Sequence, residues 1–410
     1  MAGTPHKESR FEAFKGQLGA GTAMRFVVLL GVVSLFADMT YEGARSINGP
    51  YLQVLGASAI AVGVIGGSGE LISYSLRLVS GYVSDRTGRY WTVAGVGYVV
   101  NLLAVPLLAL AGSWQIAGAL MIAERMGKGL RNPPRDAMLA HATTEMGRGW
   151  GFGLHEAMDQ TGAVIGPLII TLVIYLRGGY GSGYGFLFIP AFLALGALAF
   201  AHHLYPNPRD FEPIAKPLGT KGFPRPFWLY MAAAACIAAG FADFSLMSFR
   251  FQADGVVSAH IIPVFYAVAM FAAGAAGLVA GRLFDRFGLR VLVAGVLFSC
   301  FFAPLVFLGN AWVALLGVVL WAIGLGTQET VLRAAIAGMV ASHRRATAYG
   351  VFNFGFGIAW FMGSVTEGIL YDVSIPVLVT FAVAVQLVAV PLLFATMRAE
   401  AGLPAAPGSA

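Results

Sequence analysis

The sequence predicts an all-α membrane protein of twelve transmembrane helices, built as two six-helix halves with both termini cytoplasmic. Three observations carry this expectation: charge is scarce, the apolar runs are continuous, and the chain repeats itself. Of 410 residues, 58% are hydrophobic and 11% charged, against about 25% charged in an average soluble domain. Stretches such as Trp91 to Ala111 hold no charged residue. Such a chain needs lipid as its solvent, and a soluble enzyme is excluded. A membrane helix takes roughly 20 apolar residues at about 1.5 Å rise each, so twelve use about 240 to 300 residues and leave short loops. The runs are rich in Ala, Leu and Gly and lack the apolar-polar alternation of a membrane β-barrel.

Apolar runs bounded by turn residues place the spans near 25–53, 59–83, 90–111, 114–141, 148–176 and 184–205, then 227–251, 259–283, 289–309, 312–341, 346–371 and 375–397. Residues 1–24 read as a cytoplasmic tail: Lys7, Arg10 and Lys15 stand among polar residues, without the apolar core and small-residue cleavage site of a signal peptide. Residues 25–205 form the first bundle, 206–226 a cytoplasmic linker, 227–397 the second bundle and 398–410 a second tail. The linker assignment rests on six prolines between Tyr205 and Pro226. Arg86, Arg89, Arg148, Arg209, Lys216, Lys221, Arg225, Arg282, Arg286, Arg290, Arg344, Arg345 and Arg398 lie on or beside the even-numbered connections or the tail, whereas the opposite connections carry almost only Arg177. The positive-inside rule therefore puts both termini in the cytoplasm of a multi-pass protein of the cell (inner) membrane. The net charge of +6 is topological, and no nucleic-acid partner is expected. Cys236 and Cys300 lie within apolar runs, which favours packing over a disulfide.

Three pairs of segments recur in order between the halves. Gly81-Tyr-Val-Ser-Asp85-Arg86-Thr-Gly88-Arg89 returns as Gly281-Arg-Leu-Phe-Asp285-Arg286-Phe-Gly288. Phe36-Ala37-Asp38 with Arg45 returns as Phe241-Ala242-Asp243 with Arg250, and Arg148 with Gly153 returns as Arg345 with Gly350. Ordered repeats of this length point to duplication of a six-helix unit.

The Gly81 to Arg89 loop resembles the signature of the major facilitator superfamily, and the resemblance covers the whole chain through its repeat. It implies a twelve-helix transporter in which Gly81, Asp85, Arg86, Gly88, Arg89, Gly281, Asp285 and Arg286 serve the gate. Their glycines let helix ends approach, and their charges can bond neighbouring helix termini or simply orient the loop. Met121-x-x-x-Arg125-x-x-Lys128-Gly129 resembles the fourth-helix motif of proton-coupled members, with Lys128 where a glutamine is usual. Gly153, Gly162, Gly166 and Pro167 resemble the fifth-helix motif of antiporters, although Ile170 and Thr171 replace its last glycine pair. That match implies export; the alternative is ordinary close packing of a Gly-rich helix bent by a proline.

Charges inside the membrane cost about 2.5 to 3.5 kcal/mol each on insertion scales, so each should face a cavity or a partner. In the first span Asp38, Glu42 and Arg45 share one helical face, and Glu42 can pair with Arg45 as a structural ion pair or act directly. The second span adds Glu70 near midplane, and Arg77 deeper, where it can snorkel. In the fourth, Glu124, Lys128, Arg131 and Arg135 form a stripe joined by Arg125; its lower part, Arg131 to Asp136, belongs to the exit or to structure. The fifth clusters His155, Glu156, Asp159 and Gln160, with His155 either a proton carrier or a packing residue. Asp38, Glu124, Glu156 and Asp159 are the candidates for proton loading, since crowded carboxylates in a low dielectric can exchange protons near neutral pH. Glu42, Arg45, Glu70, Arg125, Lys128, Arg131, His155, Gln160, Asp243, Arg250, Glu329 and Arg333 are the candidates for the substrate cavity. Asn353 and Phe356 stand where the first half has Glu156 and Asp159. That asymmetry places coupling in the first half and an aromatic wall opposite, drawn from Phe244, Phe249, Tyr266, Phe352, Phe354, Phe356 and Trp360, unless those rings are core.

The seven histidines are scattered and no Gly-x-x-x-x-Gly-Lys-[Ser/Thr] loop is present, so no metal, no other cofactor and no ATP hydrolysis is expected. No nucleophile stands beside a base at helical spacing, so the chain does not read as an enzyme. The expected function is secondary active transport by alternating access, as proton-coupled efflux of a small organic solute or drug. The alternatives are proton-linked or facilitated uptake of an organic anion, and a non-transporting membrane receptor or assembly protein. Its partners are membrane lipid, a small-molecule substrate and protons, and it is expected to act as a monomer.

Overall fold

Apolar segments of membrane length become helices because lipid offers no partner for the backbone, which must close its own hydrogen bonds. The computed structural model describes residues 6–142, 148–206, 222–340 and 345–401. Most of the expected linker, with Arg209, Lys216 and Lys221, lies outside these residues, as do Arg344, residues 402–410 and the side chains of Arg148 and Arg345.

Among these described residues twelve helical spans follow in order. The first is α1 (His6–Arg45) with α2 (Asn48–Val54), the second α3 (Ala59–Thr87), and the third α4 (Tyr90–Leu107) with a 3-10 turn at Leu108–Leu110. The fourth is α5 (Trp114–Ala142), the fifth α6 (Arg148–Arg177), and the sixth α7 (Tyr180–Phe186) with α8 (Phe188–Leu204). The second half has α9 (Arg225–Ala239) with α10 (Phe244–Ala253), α11 (Ile262–Phe287), α12 (Arg290–Ser299) with α13 (Phe302–Leu308), α14 (Ala311–Met339), α15 (Arg345–Val373) and α16 (Ile375–Ala401). Among the described residues ten spans are apolar enough to cross a membrane by length and composition alone, and α5 and α15 are not among them. The charged stripe on α5 accounts for its absence. Helix α1 begins at His6, well before the expected span, although its apolar part starts at Met24.

Local chemistry sets the breaks. Gly240 ends α9, and Asp243 caps α10 by accepting a hydrogen bond from the Ser245 amide at 2.8 Å. Gly88 and Gly288 end α3 and α11 with φ of +66° and +58°, a left-handed geometry that side chains disfavour. The repeated loop glycines are thus helix terminators at equivalent places in both halves.

Helix packing positions the site. In the first half α1 lies along α6; between halves α3 meets α15, α6 meets α11 and α2 meets α10. One apolar core runs through both halves, and a smaller one is built from α1, α4 and α8 with the end of α5. An even number of crossings puts the start of α1, the connection between α3 and α4, and the end of α16 on one side, which we call the terminal face; α2 and the end of α10 lie at the far face. The far face is sealed backbone to backbone. A Cβ built on Gly49 falls 1.9 Å from the Ser245 carbonyl oxygen, one on Gly63 falls 2.2 Å from that of Ser364, and one on Gly368 falls 2.6 Å from that of Ala59. Only glycine permits such approach. Toward the terminal face, Gly350 meets only the flexible side chain of Leu78.

Candidate functional site

Between the halves lies a cavity of about 100 Å³. α1, α3 and α5 supply Tyr41, Arg45, Glu70, Tyr74, Arg77, Arg125 and Lys128. α14 and α15 supply Gln328, Glu329 and Arg333 with Asn353, Phe352, Phe356 and Trp360. The first half therefore brings most of the charge. The second brings a wall of rings, with Phe352 and Phe356 stacked at 5.8 Å and Phe356 and Trp360 also at 5.8 Å.

Glu70 is the junction of the charge network. Arg125 Nη1 bonds its Oε1 at 2.7 Å, and Arg45 Nη2 lies 3.8 Å from the same oxygen. Arg125 also approaches Glu124 at 3.6 Å and donates to the Tyr41 hydroxyl. Glu124 is held in turn by the Asn101 amide at 2.6 Å. Lys128 sits 3.6 Å above the Tyr41 ring and 3.8 Å from Glu42. Within this network two bonds cross between the halves, Arg45 to Asp243 at 3.0 Å and the Tyr266 hydroxyl to Glu42 at 2.5 Å; away from it the Tyr180 hydroxyl donates to Gln252. Each buried carboxylate in this network has a donor or cation beside it, as a low dielectric demands.

Several expectations are corrected by these positions. Glu42 does not pair with Arg45, because Arg45 ends α1 pointing toward α3 and α10 while Glu42 turns to α5 and α11. Arg131 is not in the cavity lining: it is 1% exposed, bonded to Asp38 at 3.3 Å and stacked on Tyr98 at 4.7 Å. Arg250 lies at the far face, donating to Asp254 at 3.2 Å and to the carbonyls of Val306 and Gly309 at the end of α13. Arg77 does not simply snorkel; it lines the cavity beside Tyr74, 4.9 Å from the ring centre. Asp243 lies beyond the cavity in a small pocket of the seal, shared with Ser364 and Glu367. Glu367 is fully buried, and among the described residues neither carboxyl oxygen has a partner.

The fifth-span cluster also lies outside the cavity lining. His155 meets Ser34 at 2.9 Å and Asp159 at 3.6 Å, and Arg135 reaches Asp159 at 3.7 Å. Together they tie α1, α5 and α6. Glu156 is exposed and accepts from Gln160 one turn on at 3.1 Å. Of the expected ring wall, Phe352, Phe356 and Trp360 line the cavity, Phe244, Phe249 and Tyr266 are buried elsewhere, and Phe354 is exposed. Besides Arg77, the lining residues that sequence reasoning missed are Tyr41, Tyr74, Gln328, Leu325 and Leu332. Tyr41 was findable, since it falls between Asp38 and Arg45 on one helical face.

The gate residues are placed as follows. Asp85 accepts from Tyr90 at 3.0 Å within its own half, and Arg86 donates to Tyr82 at 2.7 Å. Among the described residues no ion pair joins Asp85, Arg86, Arg89, Asp285 or Arg286 to the opposite half. A Cβ on Gly81 or Gly281 meets only ordinary contacts at 3.6 and 3.4 Å, and one on Gly153 meets nothing within 4 Å. Gly162 and Gly166 are different: a Cβ on either falls 2.3 Å from a carbonyl of α1, at Leu35 and Met39. Pro167, next in α6, lacks an N–H.

Two bundles of six helices around a polar cavity, sealed at one face and related by an internal repeat, define a membrane transport protein. Residues 30–364 and again 251–408 match the model of the Major Facilitator Superfamily, and the chain belongs to that superfamily. An uncharacterized protein of Mycobacterium tuberculosis (strain H37Rv) is 42% identical over 381 residues, covering 91% of this chain and 93% of the relative. Multidrug resistance protein MdtH of Proteus mirabilis is 31% identical over 119 residues, 29% of this chain and 30% of the relative. The crystal structure of nucleoside transporter NupG superposes with a TM-score of 0.73 at 13% identity, over 92% of this chain and 99% of that one. At that identity the likeness concerns the fold alone.

Proposed function

We propose that this chain is a proton-coupled exporter of a small organic solute, acting as a monomer in the cytoplasmic membrane with its terminal face inward. The observation that carries the reading is the bond from Arg45 to Asp243 across the sealed far face, fed by the Glu70–Arg125 network. A proton on Asp243 removes the charge that holds Arg45, and Arg45 then has Glu70 alone, at 3.8 Å. Loss of that tie favours opening of the far face, which links proton binding to the change of state that releases solute. Glu367 in the adjoining pocket is a second carboxyl on that path. Asp38, Glu124, Glu156 and Asp159 remain coupling candidates through the helices they join. The fifth-helix resemblance and the partial likeness to a multidrug resistance protein support export.

Uptake of an organic anion is the second reading. Arg125, Lys128 and Arg131 motivate it, yet each is occupied by a carboxylate of its own half. Proteoliposome flux under an imposed pH gradient tests coupling. Flux that ignores the gradient, with Asp243→Asn and Asp38→Asn indistinguishable from the parent, would sink it. The direction of accumulation in intact cells separates export from uptake.

A further inference from the structure

We infer that the cavity selects a small aromatic monocarboxylate, whose carboxylate sits between Arg77 and Arg333 and whose ring lies on the α15 wall. The inference rests on the transporter reading above and names the chemistry of its substrate. Three observations carry it.

The first concerns charge. Of the five cations lining the cavity, Arg45, Arg125 and Lys128 have carboxylates within 4.0 Å. Arg77 and Arg333 have none among the described residues. They come from opposite halves, α3 and α14. Glu329, one helical turn from Arg333, is the cavity carboxylate without such a cation. The free groups therefore sum to one positive charge, which a monoanion neutralises.

The second concerns hydrogen bonds. A buried polar atom without a partner costs about 1 to 3 kcal/mol and marks a place where something belongs. The buried, unpartnered side-chain atoms that line this cavity are Arg45 Nε, Arg77 Nε, Gln328 Nε2 and Trp360 Nε1. Arg and Trp nitrogens can only donate, whichever way the Gln328 amide is turned. Three of these four atoms can therefore be satisfied only by an acceptor, and a carboxylate is acceptor only.

The third concerns shape. Tyr74 stands edge-on to Phe356 at 5.8 Å and 77°, and Phe352, Phe356 and Trp360 continue as a surface of rings. Flat apolar groups pack on such surfaces in offset or edge geometry, and an arginine beside a ring receives a carboxylate as a planar fork.

The test is binding to the purified full chain in nanodiscs of zwitterionic lipid, at one pH and without a gradient. The probes are benzoate, 3-phenylpropionate and indole-3-acetate, each with its neutral amide and its amine analogue, and acetate as the ringless anion. At least one carboxylate should bind about tenfold or more tightly than its amide, with no amine binding. Acetate should bind far more weakly. Arg77→Gln and Arg333→Gln should each lose about tenfold in affinity, Arg77→Lys should lose less than Arg77→Gln because it keeps the charge but not the fork, and Glu329→Gln should tighten it. Unliganded melting temperatures identify any variant that fails to fold, and Arg77→Lys and Glu329→Gln keep the inference falsifiable in that event. Binding of no carboxylate in the panel, equal binding of acid and amide, preference for an amine, or unchanged affinity in folded Arg77→Gln and Arg333→Gln overturns it. Competition by added anionic lipid would assign the site to a headgroup and overturns it as well. Because no gradient is imposed, selective binding with gradient-independent flux would reject proton coupling and leave the anion site standing, and the reverse pattern would do the opposite.

Discussion

Gly49→Ala tests the seal at the far face directly. Its added carbon falls 1.9 Å from the Ser245 carbonyl oxygen and 2.5 Å from Ser248 Oγ, where ordinary contact begins at 3.4 Å. The backbones of α2 and α10 must therefore separate by about 1.5 Å, and close-packed elements do not yield so far without cost. Overpacking of this kind costs about 1 to 3 kcal/mol. Because only the sealed state suffers it, the ratio of sealed to open molecules should fall roughly 5- to 150-fold. The assay is distance measurement between spin labels at Val54 and Ala253, which are exposed at the far face, after the free cysteines Cys236 and Cys300 are replaced by alanine. A longer-distance population should appear. Gly66→Ala is the control, since a Cβ there meets nothing within 4 Å. An unchanged distance distribution in a Gly49→Ala protein with an unchanged melting temperature refutes the seal.

Asp243→Asn should uncouple flux from the pH gradient and also release the far face, so the same labels should report opening; a closed, still-coupled variant counts against the Arg45–Asp243 tie. Asp38→Asn leaves Arg131 charged and 1% exposed, and should cost about 3 to 5 kcal/mol of stability, with partial recovery in the double variant carrying Arg131→Leu; a calorimetric cycle showing no coupling would contradict the pair. Gly88→Ala and Gly288→Ala, at φ of +66° and +58°, should each destabilise by about 1 kcal/mol, whereas Gly95→Ala, with open space around it, should be neutral in a thermal melt.

Much of the fold was legible because membrane burial writes itself locally. Most of the expected spans needed only a run of apolar residues and a turn. The fourth, too charged to qualify by composition alone, was bounded in the same way, and its one-sided stripe marks the face that cannot meet lipid. The breaks inside the spans were harder to see, because Gly240 and Asp243 act as terminator and cap only where the chain turns away from the helix axis. Site residues divided in the same way. Glu70, Arg125 and Lys128 were found because a charge in lipid must be explained. Arg131 and Arg250 satisfied the same test but were answered by Asp38 and by carbonyls at the end of α13, and no one-dimensional pattern distinguishes a partner from a cavity.

From its sequence alone this protein is a twelve-span, duplicated membrane transporter with its interior charge gathered on the first, second, fourth and fifth spans, because hydropathy, repeat offsets and helical periodicity are properties of neighbours along the chain. Pairing is a property of neighbours in space. The duplicated Asp38 and Asp243 show the difference: the first is bonded to Arg131 inside its own half, while the second is bonded to Arg45 across the halves. Only the packing of α2 on α10 and α3 on α15 decided that. The same packing left Arg77 and Arg333 without a carboxylate within 4.0 Å among the described residues, since a charge's partner depends on a few ångströms in space between residues that can stand 198 apart in sequence, as Arg45 and Asp243 do.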